Sequence, residues 1–127
     1  MTLSLDKELD KYFSFYIRKR FANQYGMVRC PSCGVLIKWQ QSVCAHYIRR
    51  GPMATRWHEH NALAACPICN DSVNENSLKL AIGETLDKHF GPGTAQSMDE
   101  LSRTTVKMFP HEKQDLLNDL KEKLKAL

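Results

Sequence analysis

The chain has 127 residues, with 18 Lys and Arg against 14 Asp and Glu and a formal net charge of +4, which suits one domain or one compact module with a helical extension. It shows no secretory signal pattern and no apolar run near the roughly 18 residues of a membrane span, so neither a membrane protein nor a secreted one is expected. Five cysteines, an odd number with four in metal spacing, fit a reducing compartment such as the cytoplasm better than a disulfide framework.

In chain order, Leu5, Leu9, Tyr12, Phe13, Tyr16, Ile17 and Phe21 recur at steps of three and four and predict an amphipathic helix over 4–22. Arg18, Lys19 and Arg20 end it, where the helix dipole favours cations; they are also candidate DNA-backbone contacts. Residues 23–34 read as a turn with a first cysteine knuckle. Val35 to Trp39 and Val43 to Ile48 read as short strands, being β-branched and aromatic in part. Gly51-Pro52 forces a turn, 53–60 read as loop, and Ala62 to Ala65 lead into a second knuckle. A helix is expected from Asn74-Glu75-Asn76-Ser77 until Gly91-Pro92-Gly93 stops it. Two further helices follow, over about 95–108 and 111–126. The last carries Leu116, Leu117, Leu120, Leu124 and Leu127, which pack on the core or pair with a partner helix.

The most specific signal is Cys30-Pro-Ser-Cys33 with Cys66-Pro-Ile-Cys69, two Cys-X-X-Cys pairs separated by 32 residues. Each pair sets two thiolates on one tight turn, and together they make a tetrahedral site of the size Zn²⁺ prefers. With four thiolates the site is closed, so the zinc is structural. Thioredoxin-like redox chemistry needs one such motif and does not account for two.

Charge is unevenly placed. From Lys11 to His58 there are nine Lys or Arg and no Asp or Glu. A one-signed field over such a stretch is the footprint of a polyanion partner, usually nucleic acid, or a solvated basic face. The same window holds Cys44-Ala45-His46-Tyr47, Arg49-Arg50, Arg56 and His58, with His60, Asn61 and Asn70 just beyond it. Phosphodiester hydrolysis needs a base to deprotonate water and cations to neutralise phosphate charge, and a neutral imidazole suits the first role. On a loop the pairing of His58 with His60 is unconstrained. His89 and His111 read as structural or surface residues, and Trp39 and Trp57 as core or rim aromatics more than as base-stacking platforms.

The pattern Cys-X-X-Cys … Ala-His-Tyr-Ile-X-Arg-Gly … Arg-Trp-X-X-X-Asn … Cys-X-X-Cys-Asn resembles an HNH (ββα-metal) nuclease with an embedded zinc ribbon, and more narrowly the phage NinG/Rap recombination endonucleases. The resemblance runs from about Tyr12 to the C-terminus. It implies a small α+β fold, one domain over 1–127, with an N-terminal helix (4–22), a zinc-stapled HNH-like core (28–90) and a helical tail (94–127). It implies structural Zn²⁺ on Cys30, Cys33, Cys66 and Cys69, His46 as general base, Asn61 bracing the loop that orients it, and Asn70 binding a catalytic Mg²⁺ or Mn²⁺. Arg49, Arg50 and Arg56 would contact phosphates, with Arg56 at the scissile one. The implied activity is structure-selective cleavage of branched DNA (Holliday junctions, D-loops) in a phage-infected bacterial cytoplasm, with a homodimer or recombination proteins as further partners. The alternative is a catalytically inactive zinc-ribbon DNA-binding module. The chain departs from the pattern at Val43 and Ala45, where relatives carry Asp, Gly or a second metal ligand. Cys44, His58, His60, Asp71 and Glu75 stand open as replacements.

Phosphate contacts release counterions, so DNA affinity is expected to fall steeply with ionic strength. Replacing Arg49 and Arg50 by Ala flattens that slope in a salt titration of binding; an unchanged slope removes the pair from the footprint.

Overall fold

The computed structural model describes residues 4–71 and 73–127. Helix α1 (Leu5–Lys19) starts at Ser4, whose Oγ accepts from the Lys7 backbone N–H at 3.2 Å, and Asp6 and Glu8 sit in its positive first turn. Strands β1 (Met27–Arg29) and β2 (Leu36–Lys38) pair antiparallel, Val28 opposite Ile37, and β3 (Val43–His46) pairs antiparallel with β4 (Ala62–Ala65), His46 opposite Ala62. A short helix α2 (Met53–Arg56) lies between β3 and β4. Three helices close the chain: α3 (Glu75–Phe90), α4 (Thr94–Ser102) and α5 (Pro110–Lys125). Over the described residues the fold is thus α+β, with five helices and two small antiparallel sheets. No helix among the described residues is long and apolar enough to cross a membrane.

The two-residue period of β3 and β4 divides the core. Ala62 and Cys44 turn to one face and pack with Leu9, Phe13, Ile17, Trp57, Leu117 and Leu120. Ala45, Leu63 and Ala65 turn to the other, against Leu78, Ile82 and Leu86 of α3 and the cysteines. The β3–β4 sheet therefore lies between α1 with α5 on one side and α3 with the cysteine knuckles on the other. At Gly83 of α3 an added Cβ would sit 3.1 Å from the Tyr47 ring, so the missing side chain lets Tyr47 lie against the helix.

The structure departs from the sequence reading in several places. Residues 53–60 are not open loop: they hold α2 and the start of a 3₁₀ turn over Glu59–Asn61. β1 lies inside the segment read as turn and knuckle. The strand expected over 43–48 stops at His46 because the Asn61 side chain, not a neighbouring strand, takes the backbone groups of Ile48. The helix expected over 95–108 ends at Ser102, where the Ser102 and Thr104 hydroxyls bond back to the carbonyls of Asp99 and Leu101.

The C-terminal helix packs inward. Leu117 and Leu120 are 1% and 2% exposed against α1, and Lys113–Asp6 (2.7 Å) and Lys123–Glu59 ion pairs tie the two ends of α5 down. Truncating either leucine opens a cavity in that core. Leu117→Ala or Leu120→Ala is expected to cost about 2–5 kcal/mol in urea unfolding, where a helix held out for a partner would lose almost nothing.

Candidate metal centre and adjoining cleft

Cys30 follows β1, Cys66 follows β4, and each opens a knuckle closed by a main-chain bond: Gly34 N–H to the Cys30 carbonyl at 3.0 Å, and Asn70 N–H to the Cys66 carbonyl at 3.3 Å. Gly34 takes φ +78°, a backbone conformation that side-chain-bearing residues rarely adopt, and so turns the chain out of the first knuckle. The two knuckles meet. The Sγ atoms of Cys30, Cys33, Cys66 and Cys69 all lie within 4.8 Å of one another, with Cys33 and Cys66 at 3.7 Å. Four thiolates about 2.3 Å from a tetrahedral Zn²⁺ sit about 3.8 Å apart, so the donor set and its spacing fit zinc. All five cysteines are free thiols. Burial would raise the Cys30 thiol, but N–H groups from Cys66, Cys33 and Ser32 outweigh it and bring it down to about 7.

His46, Asn70, Arg49 and Arg50 line one cleft of about 550 Å³ beside the cluster, together with Asp10, Ser14, Arg18 and Cys44. His46, Arg49 and Asn70 also line an adjoining cleft of about 280 Å³ that Glu75 and Lys79 complete. Residues from β3, the 47–50 segment, the second knuckle and α3 thus converge on one imidazole. The His46 Nε2 lies 3.2 Å from the Arg56 carbonyl, which can only accept, so Nε2 carries the proton and Nδ1 the lone pair. Burial, more than the Arg56 bond can offset, holds the imidazole below its ordinary 6.5, with the Arg50 charge adding to the effect. His46 is therefore neutral at pH 7. Phe13 packs against it, ring centroids 5.7 Å apart.

Asn61 is fully buried and spends its amide on the backbone. Oδ1 accepts from Ile48 N–H at 2.9 Å, and Nδ2 donates to the carbonyls of Ile48 and Thr55, each at 3.0 Å. These bonds clamp the start and end of the segment that leaves β3 after His46 and returns through Arg56.

Asp10 is the residue that sequence reasoning missed. Its carboxylate accepts from Arg56 (Nη2 2.8 Å, Nε 3.2 Å), Arg50 (Nη1 3.3 Å) and the Trp57 indole (2.9 Å). Burial works against the charge, but the bonds from Arg56 and Trp57 and the two guanidinium charges overcome it and keep the carboxyl below its ordinary range. Arg56, expected at the scissile phosphate, is thus engaged bidentately by α1, while its own carbonyl fixes His46. Only the acid-free run beginning at Lys11 marked the neighbourhood, and Asp10 lies one residue outside it.

The other candidates separate. Arg49 is exposed and pairs with Glu75 at 3.0 Å. Arg18 donates to the carbonyls of Trp39, Gln40 and Ser42 at 3.3 to 3.5 Å. Lys19 lies with its Nζ 5.8 Å from the Trp39 ring centre. Arg20 turns inward: Nη2 donates to the Ala62 carbonyl at 2.9 Å and the guanidinium lies over Tyr16, Phe21 and Phe90, a placement that serves packing. Of the residues open as replacement ligands, burial pushes the Cys44 thiol up to about 12 and keeps it neutral. His60 stacks on Phe90 (4.1 Å), His58 Nδ1 accepts from His60 N–H, and Asp71 accepts from Val73 and Asn74 ahead of α3. Glu75 alone of them brings a carboxylate to a cleft that also contains His46 and Asn70. Among the described residues, the cysteines form the one group of three or more His, Cys, Asp or Glu donors close enough to share an ion.

No family model, curated protein or solved structure matches the chain. The functional reading therefore rests on the residues themselves.

Removing the Asn61 amide strands three backbone groups, the Thr55 carbonyl buried and the two of Ile48 half-buried. Asn61→Ala is expected to cost about 3 kcal/mol in thermal or urea unfolding, with hydrogen exchange of the Ile48 amide rising more than that of the α1–α5 core.

Proposed function

We propose that this protein is a metal-dependent DNA endonuclease of the ββα-metal (HNH) type, related to the phage NinG/Rap enzymes and acting on branched recombination intermediates. One observation carries the reading: a neutral, oriented imidazole at the end of β3 shares a cleft with Asn70 and three arginines, beside a four-cysteine cluster that suits structural zinc. β3, β4 and α3 correspond to the ββα unit. In this reading His46 Nδ1 takes a proton from the attacking water, and the Nε2–Arg56 bond holds the ring in the tautomer that leaves Nδ1 basic. Asn61 keeps the segment carrying that carbonyl in place. Arg49 and Arg50 neutralise phosphate charge at the cleft rim, exchanging an exposed pair with Glu75 and a half-buried one with Asp10 for DNA.

The donor chemistry beside His46 suits a hydrated Mg²⁺ or Mn²⁺, which keeps several waters and takes substrate phosphate oxygens in addition to a few protein oxygens. Asn70 and Glu75 would hold it, and it would stabilise the developing charge on the phosphate and the leaving oxygen. Backbone contacts of this kind carry little sequence information, so substrate choice would follow DNA shape.

A second reading has its own observation. Val43 and Ala45 leave β3 without a carboxylate, and Asp10 is occupied by Arg50 and Arg56. On that reading the protein is a zinc-stapled DNA-binding module that does not cut.

Labelled four-way junction, D-loop and plain duplex DNA, incubated with Mg²⁺ or Mn²⁺ and with an EDTA control, separate the two. The nuclease reading predicts metal-dependent cutting of the branched forms that His46→Ala reduces by at least about a hundredfold, general-base loss being worth 10²–10⁴. Because burial favours the neutral ring, the acid limb of the rate is expected to lie below pH 6.5, with activity retained above it. Tight junction binding without cutting by either protein overturns the nuclease reading.

A further inference from the structure

The outer face of α1 meets the 3₁₀ turn after β2 in an arrangement that the cleavage chemistry does not use. The Phe15 and Trp39 rings lie edge to face, 6.4 Å apart at 86°, both half-buried. The Arg18 guanidinium stands 5.4 Å from the Phe15 ring centre and 5.5 Å from that of Trp39, and the Lys19 ammonium 5.8 Å from Trp39. Lys38, exposed on β2, precedes Trp39 directly. Arg18 is held in place by the carbonyls of Trp39, Gln40 and Ser42 and by Ser14 Oγ at 3.0 Å. These neutral acceptors engage its Nη1 and Nε but leave its charge uncancelled. Among the described residues no carboxylate lies within 4 Å of Arg18, Lys19 or Lys38, whereas Arg50 and Arg56 share Asp10 and Arg49 has Glu75.

We infer that this cation–aromatic surface binds an unpaired nucleic-acid strand and leads it to the His46 cleft. The inference rests on the reading of DNA as substrate and deepens it. Charge complementarity selects a polyanion, and the rings select one whose bases are free. In duplex DNA the base faces are already stacked, whereas an unpaired strand offers them to aromatic side chains while Lys and Arg follow its backbone. Continuity is built in, since Ser14 and Arg18 line the cleft that contains His46 and Asn70. A flap, a displaced loop or an open junction centre presents such a strand beside a scissile duplex.

Binding of a fluorescently labelled oligothymidylate and of a blunt duplex is measured by anisotropy on zinc-loaded protein without added Mg²⁺ or Mn²⁺. Trp39→Leu and Phe15→Leu keep apolar volume but remove the ring, and Trp39→Phe restores one. The inference predicts that each Leu variant loses oligothymidylate affinity by roughly tenfold, as stacking contributions of about 1–3 kcal/mol per base imply, with duplex affinity unchanged and Trp39→Phe close to native. Trp57 is only 5% exposed, so quenching of native fluorescence by oligothymidylate should disappear in Trp39→Phe. Unchanged oligothymidylate affinity in both Leu variants overturns the inference, as does an equal loss on oligothymidylate and duplex. Should a Leu variant fail to fold, the quenching difference between native and Trp39→Phe decides alone. The test reads binding only, so a protein that binds the strand but never cuts refutes the nuclease reading and leaves this one standing.

Discussion

Everything around the cleft depends on closing the loop between two cysteine knuckles 32 residues apart in sequence. The small sheets on either side cannot do this alone: each has two strands of three or four residues, too little to persist in water without further support. Four thiols gathered within 4.8 Å supply that support once a metal joins them, because ligand binding to the folded arrangement alone becomes folding free energy. The knuckle after β4 fixes where Asn70 and the start of α3 lie. The knuckle after β1 fixes β2 and the turn that carries Trp39.

A second layer of constraint works on the imidazole. His46 ends a strand whose neighbour on the other side is α1, so Phe13 packs on its ring while the Arg56 carbonyl accepts a hydrogen bond from its Nε2. Arg56 is in turn gripped by Asp10, and Asn61 clamps the segment between them. The chain thus runs from an acid on α1, through a guanidinium and its own carbonyl, to a ring nitrogen. Its effect is a neutral side chain with one defined basic lone pair, which is what proton abstraction near pH 7 asks of a histidine.

Much of this was legible in the residues. Cysteine spacing announced the four-cysteine cluster because Cys-X-X-Cys is a local geometric demand that needs no knowledge of the rest of the fold. The period of Leu9, Phe13 and Ile17 announced α1 and its buried face. What stayed hidden is long-range. Asp10 meets Arg50 and Arg56 across 40 and 46 residues, and Arg20 reaches a carbonyl 42 residues away. A basic run reads as one field in sequence, yet three of its arginines find carboxylates and others find carbonyls. Local chemistry also shortened elements that periodicity extended: side-chain amides and hydroxyls took up backbone groups at Ile48 and at the end of α4, where a strand or helix would otherwise have continued.

The central claim is a division of labour between a closed thiolate site that shapes the cleft and a second, exchangeable cation beside His46. Metal counting on one preparation tests it most directly. Elemental analysis after dialysis against Mn²⁺-free buffer, followed by Mn²⁺ titration read by electron paramagnetic resonance with junction DNA present, should show one retained zinc per chain and one added Mn²⁺. Asn70→Ala should lose the Mn²⁺ and keep the zinc. Retained zinc with no Mn²⁺ bound by the native protein, or Mn²⁺ binding indifferent to Asn70→Ala, would contradict it.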